Sequence, residues 1–180
     1  MSETEVTERA VKEAEENARR RRVRNLIDTL KSPHLDDRWK AAGQLGEIGD
    51  GSAVPALIEA LSDPFVDVSW IAAKSLGEIG DDRAFEPLLL ALRSPEKWLR
   101  IGAATGLGRL GDRRAVPALI EALKDGIAQV RRHAARALGM LGDASAAEPL
   151  RALENDPDKS VRDEVALALK KLLHREDAKT

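Results

Sequence analysis

Apolar and small residues return along this chain with a fixed period of 31 residues. The segment 45–50, Leu-Gly-Glu-Ile-Gly-Asp, recurs at 76–81, 107–112 and 138–143, and a fifth copy keeps only Leu169 and Leu172. With the repeated leucine as position 0, positions −8, −4, −3 and +3 are apolar or small in nearly every copy and share one face of a helix. A fixed period without insertions indicates stacked units that each need a neighbour to bury this face.

Each unit is predicted to contain two helices. A short first helix covers 53–61 in the second unit and 115–123 in the fourth, with a proline near its start, where a missing N–H costs little. A longer second helix ends at the repeated leucine segment, whose glycines can form a left-handed cap. Small residues at −4 and −3 let successive second helices approach to about 8–10 Å between axes. We therefore predict an all-α fold, a right-handed α-solenoid of five two-helix repeats with an N-terminal cap helix.

The repeat resembles the HEAT-like repeats of the phycobilisome-lyase type and the engineered alphaRep scaffolds built from them. The resemblance rests on 115–123 and 130–143, covers about 22–173, and departs at Asp37 and Ser69, where Val and Arg are usual. It implies the solenoid fold, with Asp37 marking the first unit as partly a cap. It singles out no activity, because the family includes bilin lyases and adaptors.

Composition narrows the class of protein further. The chain has 180 residues, a formal net charge of −2 and no cysteine, which gives no general attraction to nucleic acid or anionic membranes and excludes disulfides and thiolate metal sites. No apolar stretch approaches a membrane span, and the polar start is not a signal peptide. We predict a cytoplasmic monomer with one repeat domain at 22–174, a charged cap helix or arm at 1–21 and a tail at 175–180.

Candidate catalytic residues are few. The histidines His34, His133 and His174 lie in different units, with no other histidine or carboxylate at metal-ligand spacing, and no glycine-rich phosphate loop occurs. We therefore predict no catalytic residue, no bound metal and no cofactor.

Two polar ladders follow the repeat period. They consist of Asp50, Asp81, Asp112 and Asp143 after the second helices, and Arg38, Arg100, Arg131 and Arg162 near the starts of those helices. Residues needed once per repeat usually belong to the fold. We interpret both ladders as caps and salt bridges between units, as the resemblance also implies, rather than as acid–base groups.

The first segment, from Ser2 to Arg22, has an acidic front and a basic end, which suits the dipole of a helix. No Gly or Pro precedes Pro33, so this helix can continue into the first repeat. The arginine-rich run from Arg19 to Arg24 is also typical of a site for nucleic acid or phosphate. With a net charge near zero, we favour a solvated helix end over a nucleic-acid partner.

Residues that vary from unit to unit lie at positions −9, −6, −5, −2 and +2 of the second helices, a surface that we call the variable face. In repeats of this kind the second helices normally line the concave side. All three tryptophans of the chain lie on this face, and their helical angles predict that they are exposed, with gaps beside two of them at Gly43 and Gly102. The candidate binding residues are Trp39, Trp70, Ile71, Lys74, Trp98, Ile101, Gly102, Thr105, Arg109, Arg132, His133, Arg136 and Met140.

An exposed apolar patch beside a basic patch is typical of an interface. We therefore predict a non-catalytic scaffold that binds a protein or peptide on the concave face. The tryptophans, Ile71 and Ile101 would be its apolar anchors, and Arg109, Arg132, His133 and Arg136 would receive acidic groups. Two alternatives stay open: a bilin-lyase-like chaperone or enzyme that holds a tetrapyrrole, and nucleic-acid binding through the run from Arg19 to Arg24.

Overall fold

The computed structural model describes residues 3–177, without the side chains of residues 3, 4, 6 and 174–177. The last three residues of the predicted tail and the side chain of His174 therefore lie outside the described residues. Within that range the chain forms ten α-helices in five pairs, with a 3-10 turn before each of the later first helices. The helices are α1 (Glu3–Thr29), α2 (Leu35–Ile48), α3 (Val54–Ala60), α4 (Val66–Ile79), α5 (Phe85–Ala91), α6 (Lys97–Leu110), α7 (Val116–Ala122), α8 (Ala128–Leu141), α9 (Ala147–Arg151) and α10 (Lys159–Asp177).

The end of each repeat unit is built from two residues with separate tasks. The glycine after the second helix adopts the left-handed conformation, with φ between 66° and 78°, and closes the helix. The next residue is the aspartate of the predicted ladder, and its Oδ1 accepts the backbone N–H two residues further on, which caps the following 3-10 turn. The aspartate ladder is therefore a series of caps, as predicted.

The helices form two layers. The second helices, α2, α4, α6, α8 and α10, pack one against the next, whereas each first helix packs chiefly against the second helix of its own unit. The layer whose helices lie closer together is the inner layer of a curved stack, so the variable face lies on the inner side. Between the layers, the repeated leucines and their partners from the first helices are fully buried: Leu45, Leu57, Leu76, Leu88, Leu107, Leu119, Leu138 and Leu150.

The first glycine of each repeated segment sets the spacing of the inner layer. A Cβ placed on Gly77 would lie 2.2 Å from the carbonyl oxygen of Gly106, and Cβ atoms on Gly108 and Gly139 would lie 2.8 and 2.9 Å from the backbone of the next second helix. Each of these glycines faces a small residue at position −1 of the following unit. Only the second glycine is a cap, so the prediction that both glycines serve the helix end is wrong for the first.

We expect Gly77→Ala to lower the free energy of unfolding by about 1–3 kcal/mol, because the new methyl group would meet backbone atoms of α6 that cannot rotate away. Gly126→Ala is the matched control, since a Cβ there has no atom within 4 Å and Gly126 lacks a positive φ. Urea unfolding of both variants measures the difference. Equal stabilities for the two variants would contradict the close contact.

The arginine ladder joins neighbouring units. Three arginines of the second helices pair with an aspartate 25 residues further on, in the loop between the two helices of the next unit: Arg38 with Asp63, Arg100 with Asp125, and Arg131 with Asp156. Each pair is bidentate and largely buried, and the arginine also donates to a carbonyl of the loop before its own helix. The hydrogen bond from Arg131 holds the pKa of Asp156 below its usual value. The predicted salt bridges between units are confirmed for these three arginines, with these aspartates as partners. Arg162 instead donates to the carbonyl oxygens of Asp156 and Pro157 in the loop before its own helix.

The second unit has no arginine–aspartate pair at its ladder position. Ser69 occupies the arginine position of the second unit, and Ser94 occupies the matching aspartate position of the third. Because serine replaces both partners, neither an arginine nor an aspartate is buried here without its partner. A buried unpaired charge would lower the free energy of unfolding far more than the loss of the whole pair does. The Ser69 hydroxyl donates to Val66 O at 3.1 Å, and the Ser94 hydroxyl accepts the N–H of Glu96 at 3.1 Å.

Restoring this pair tests the ladder. We expect the double variant Ser69→Arg/Ser94→Asp to be more stable than the sum of its single variants, with a coupling of about 1–2 kcal/mol, because Ser69→Arg alone buries an unpaired charge. A double-mutant cycle by urea unfolding measures the coupling, and Arg100→Ser with Asp125→Ser is the reverse cycle at an existing pair. Additive effects in both cycles would contradict an energetic role for the ladder.

Helix α1 runs without a break into the first unit, as predicted. Val23 is its first buried residue, and Leu26, Ile27 and Leu30 pack against the core. Every described side chain before Val23 is exposed. The first repeat is therefore covered by the last two turns of α1, whereas the described side chains of the preceding part, the arm, are exposed. Whether residues 1–21 also stabilise the repeat as a cap stays a prediction.

The arginine run at the base of the arm is partly engaged. Arg19 donates to the carbonyl oxygen of Ile48 at 2.9 Å, and Arg20 pairs with Glu16 one turn earlier. These contacts favour the solvated helix end over a free nucleic-acid site.

Candidate functional site

All three tryptophans lie on the variable face of three consecutive second helices. Trp39 on α2 and Trp98 on α6 are 42% and 41% exposed, as their helical angles predict. The ammonium group of Lys97 lies 5.3 Å from the centre of the Trp98 ring, which is within cation–π range. Trp70 on α4 is half-buried and packs against the core, so its predicted exposure holds only in part.

Two predicted apolar anchors are not on the surface. Ile71 and Ile101 are 6% and 2% exposed, so the prediction that they are available to a partner is wrong. Their angles do point away from the core of their own unit. However, the neighbouring second helices lie so close that they cover positions which a single helix would expose, as α2 does at Gly43 for Ile71.

The predicted gaps beside the tryptophans are also absent. The space over Gly43 is taken by Ile71, whose Cγ1 would lie 3.7 Å from a Cβ placed on that glycine. A Cβ on Gly102 would lie 2.9 Å from the carbonyl oxygen of Trp70. Gly102 is therefore a site of close backbone approach between α6 and α4.

Several charged residues of the variable face pair across neighbouring helices. Arg109 of α6 contacts the carboxylate of Glu78 on α4, and Lys74 lies 3.4 Å from the same carboxylate. Arg136 of α8 pairs with Glu164 of α10, which is only 6% exposed. These contacts neutralise two of the arginines that we predicted to receive acidic groups.

His133 lies at the centre of a hydrogen-bonded chain between α6 and α8. The Thr105 hydroxyl donates to Ile101 O at 2.8 Å, so it accepts from His133 Nδ1, 2.9 Å away. His133 Nε2 can then accept from Arg132 Nη2 at 3.2 Å. This arrangement requires a neutral imidazole with its proton on Nδ1. Burial, together with the charges of Arg132 and Arg136, lowers the pKa of His133 to about 4, so His133 is no cationic receptor near neutral pH.

Arg132 is the arginine of this face that remains available. Among the side chains that the structure describes it has no carboxylate partner, and its buried Nε makes no hydrogen bond with them. Met140 is 38% exposed, and Leu167 of α10, which was not among the predicted binding residues, is 54% exposed. The candidate anchors that remain accessible on this face are thus tryptophan rings toward the N-terminus, one arginine without a carboxylate partner, and aliphatic side chains toward the C-terminus. They lie among exposed charged residues of the same face: Asp36, Lys40, Glu47, Asp67, Asp163 and Lys171.

The described residues offer little for other chemistry. No three of their His, Asp and Glu side chains come together in a group that would hold a metal ion. None of the helices between residues 3 and 177 has the length and apolar character needed to span a bilayer.

The depressed pKa of His133 gives a pH dependence with a defined sign. Its folded-state pKa of about 4 lies below the unfolded value of about 6.5, so protons bind the unfolded chain more readily and stability falls as the pH drops from about 6.5 toward 4. We expect the unfolding free energy of wild type, measured relative to that of His133→Gln, to fall by up to about 1.4 kcal/mol for each unit by which the pH drops in this window. Urea unfolding at several pH values measures the slope. Parallel curves for the two proteins would contradict the buried neutral imidazole.

The sequence profile of HEAT repeats matches residues 23–95 and 85–170. Among solved structures, the chain is similar to the complex of CpcE and CpcF of phycocyanin lyase from a Nostoc species, with 30% identity and a TM-score of 0.73. The likeness covers 83% of this chain and 64% of that chain, so the chain spans less than two thirds of this relative's length. Among curated proteins, none matches the sequence significantly.

Two artificial proteins share the architecture. One is an engineered protein at 24% identity and a TM-score of 0.60, covering 83% of this chain and 78% of that one. The other is a designed armadillo repeat protein in complex with the peptide (KR)4, at 16% identity and a TM-score of 0.58, covering 82% and 80% of the two chains. At this level of identity, the likeness concerns the fold alone.

Proposed function

Because the chain belongs to the family of HEAT repeats, we propose that it is a non-catalytic scaffold which binds an extended segment of a partner protein on the variable face. The observation that carries the proposal is the exposure of Trp39 and Trp98, about two fifths of each residue's surface. The core between the two layers is complete without either ring. Large rings that the fold does not need, on the same face as an arginine without a carboxylate partner, are the usual anchors of a protein interface.

The repeat spacing suggests the chemistry of the partner. Trp39, Trp70 and Arg132 occupy position −6 of the first, second and fourth units and lie in one row across the inner layer, which is interrupted at the buried Ile101 of the third unit. Helix axes about 8–10 Å apart match about three residues of an extended chain. The partner segment would therefore carry two apolar residues about three positions apart, to meet Trp39 and Trp70, and an acidic residue about six positions beyond the second, to meet Arg132.

A random peptide library selected on the purified protein tests this proposal. We expect enriched peptides to combine large apolar residues with Asp or Glu, and to bind Trp39→Ala and Trp98→Ala at least tenfold more weakly, since truncating an interface anchor costs about 1–2 kcal/mol or more. Arg132→Ala should remove the preference for the acidic residue. Phe65→Ala is the matched control, because this ring is 49% exposed but lies outside the variable face.

The same variants separate binding from folding. Trp39→Ala and Trp98→Ala should each cost far less stability than the roughly 3–5 kcal/mol of a buried tryptophan, and half-buried Trp70→Ala should cost more than either. Enriched peptides that bind the tryptophan variants as well as wild type would overturn the proposal. So would a core-sized loss of stability at both Trp39 and Trp98.

A bilin-lyase-like role is the second candidate, supported by the 30% identity to a phycocyanin lyase structure. Exposed rings beside a cationic group would also suit a flat tetrapyrrole with propionate groups. Biliverdin is the probe: binding would produce a shifted visible absorption band on the purified protein and quench its tryptophan emission. A band that is lost with Trp98→Ala, together with no peptide enrichment, would favour this candidate over the first.

A further inference from the structure

A groove opens on the outer layer between the second and third units. It lies between α3, α5 and the start of α6, has a volume of about 810 Å³, and is separated from the variable face by the core. Its apolar lining consists of Ile58, Leu61, Pro87, Leu90, Pro95 and Leu99.

The other units show why the groove is open here. The equivalent grooves at the neighbouring unit boundaries have volumes of about 150 and 350 Å³. They are bordered by Asp63 and Asp125, the aspartates of two arginine–aspartate pairs. The wide groove is bordered by Ser94, and the opposite partner is Ser69. The site where the ladder lacks its pair is thus the site where the outer layer opens.

A second departure from the repeat occurs at the same place. Leu90 is 74% exposed, whereas the equivalent positions of the second and fourth units hold Glu59 and Glu121. A single exposed leucine needs no explanation. A leucine that replaces a repeated glutamate at the edge of an apolar groove does need an explanation. This change and the loss of the arginine–aspartate pair both make the same area more apolar.

We propose that this groove is a self-association surface, in which Leu90 of one copy enters the groove of a second copy across a two-fold axis. Such an interface requires a patch that is complementary to itself. Leu90 supplies the protruding group and the groove supplies the space for it. The charges agree with the symmetry: Glu86 lies one turn before Leu90 and Arg93 one turn after it, on the same side of the helix. When two α5 helices lie antiparallel, Glu86 of each copy faces Arg93 of the other.

Both charged groups are available for this contact. Glu86 and Arg93 are exposed, and neither forms an ion pair with any residue of the described part of the chain. The patch is one short helix and one groove, which is smaller than the roughly 800 Å² per partner of a standard interface. The dimer is therefore weak and forms at high protein concentration, and the predicted monomer applies to dilute protein.

Sedimentation velocity over a concentration series up to the millimolar range tests the proposal. We expect the average mass of wild type to rise toward that of a dimer, and Leu90→Glu to weaken association at least tenfold without loss of thermal stability, since glutamate stands at the equivalent positions. Leu173→Glu is the matched control: this leucine is also exposed, at 54%, but lies near the end of α10, and its change should leave association unaltered.

A charge exchange tests the two-fold arrangement. Glu86→Arg and Arg93→Glu should each weaken association by about two- to fivefold, the scale of a surface ion pair, and the double variant should restore it. Wild type that remains monomeric throughout the series would overturn the proposal. Association that survives Leu90→Glu but is lost with Leu173→Glu would also overturn it, by moving the interface to the C-terminal end. Neither outcome bears on peptide binding at the variable face.

Discussion

The close contact between successive second helices is the constraint on which the rest of this structure depends. At each boundary a glycine faces a small residue of the next unit, and between Gly77 and Gly106 the backbones are so close that no side chain fits between them. This contact makes the inner layer the denser one, which curves the stack and turns the variable face inward. It also decides which residues of that face are exposed, because each helix covers part of its neighbour.

The architecture could be predicted from the sequence, but the exposure of individual residues on the variable face could not. The 31-residue period, the buried leucines and the caps at positions such as Asp50 follow from a pattern within one helix. The burial of Ile71 and Ile101 depends on the distance to the next helix, which a helical angle does not contain. A signal for it was present in Gly102 and Gly106, spaced one turn apart, since paired small residues permit close helix approach in any solvent.

The ion pairs of the variable face were also only partly predictable from the sequence. Arg109 and Glu78 occupy the same repeat position in adjacent units, so their opposite charges predict a contact once the stacking is known. Arg136 and Glu164 occupy different positions, and only the offset between α8 and α10 brings them together. Removing these pairs from the predicted acid receptors leaves Arg132 as the unpaired arginine, which narrows the proposed partner to a single acidic group beside apolar ones.

The two proposed surfaces lie on opposite layers, and this separation has a consequence for binding. Trp39 and Trp98 belong to second helices, whereas Leu90 belongs to a first helix, so a dimer formed through the outer groove leaves both inner faces free. Such a dimer would hold two binding faces at a fixed separation, and a partner with two suitable segments would bind the second one intramolecularly, with an effective concentration set by its linker. Modest affinity at each variable face is then enough for tight binding of such a partner. This binding depends on protein concentration, because the dimer forms through the weak contact at the outer groove. Departures from the repeat, at Ser69, Ser94 and Leu90, would in this way control what the repeated part binds.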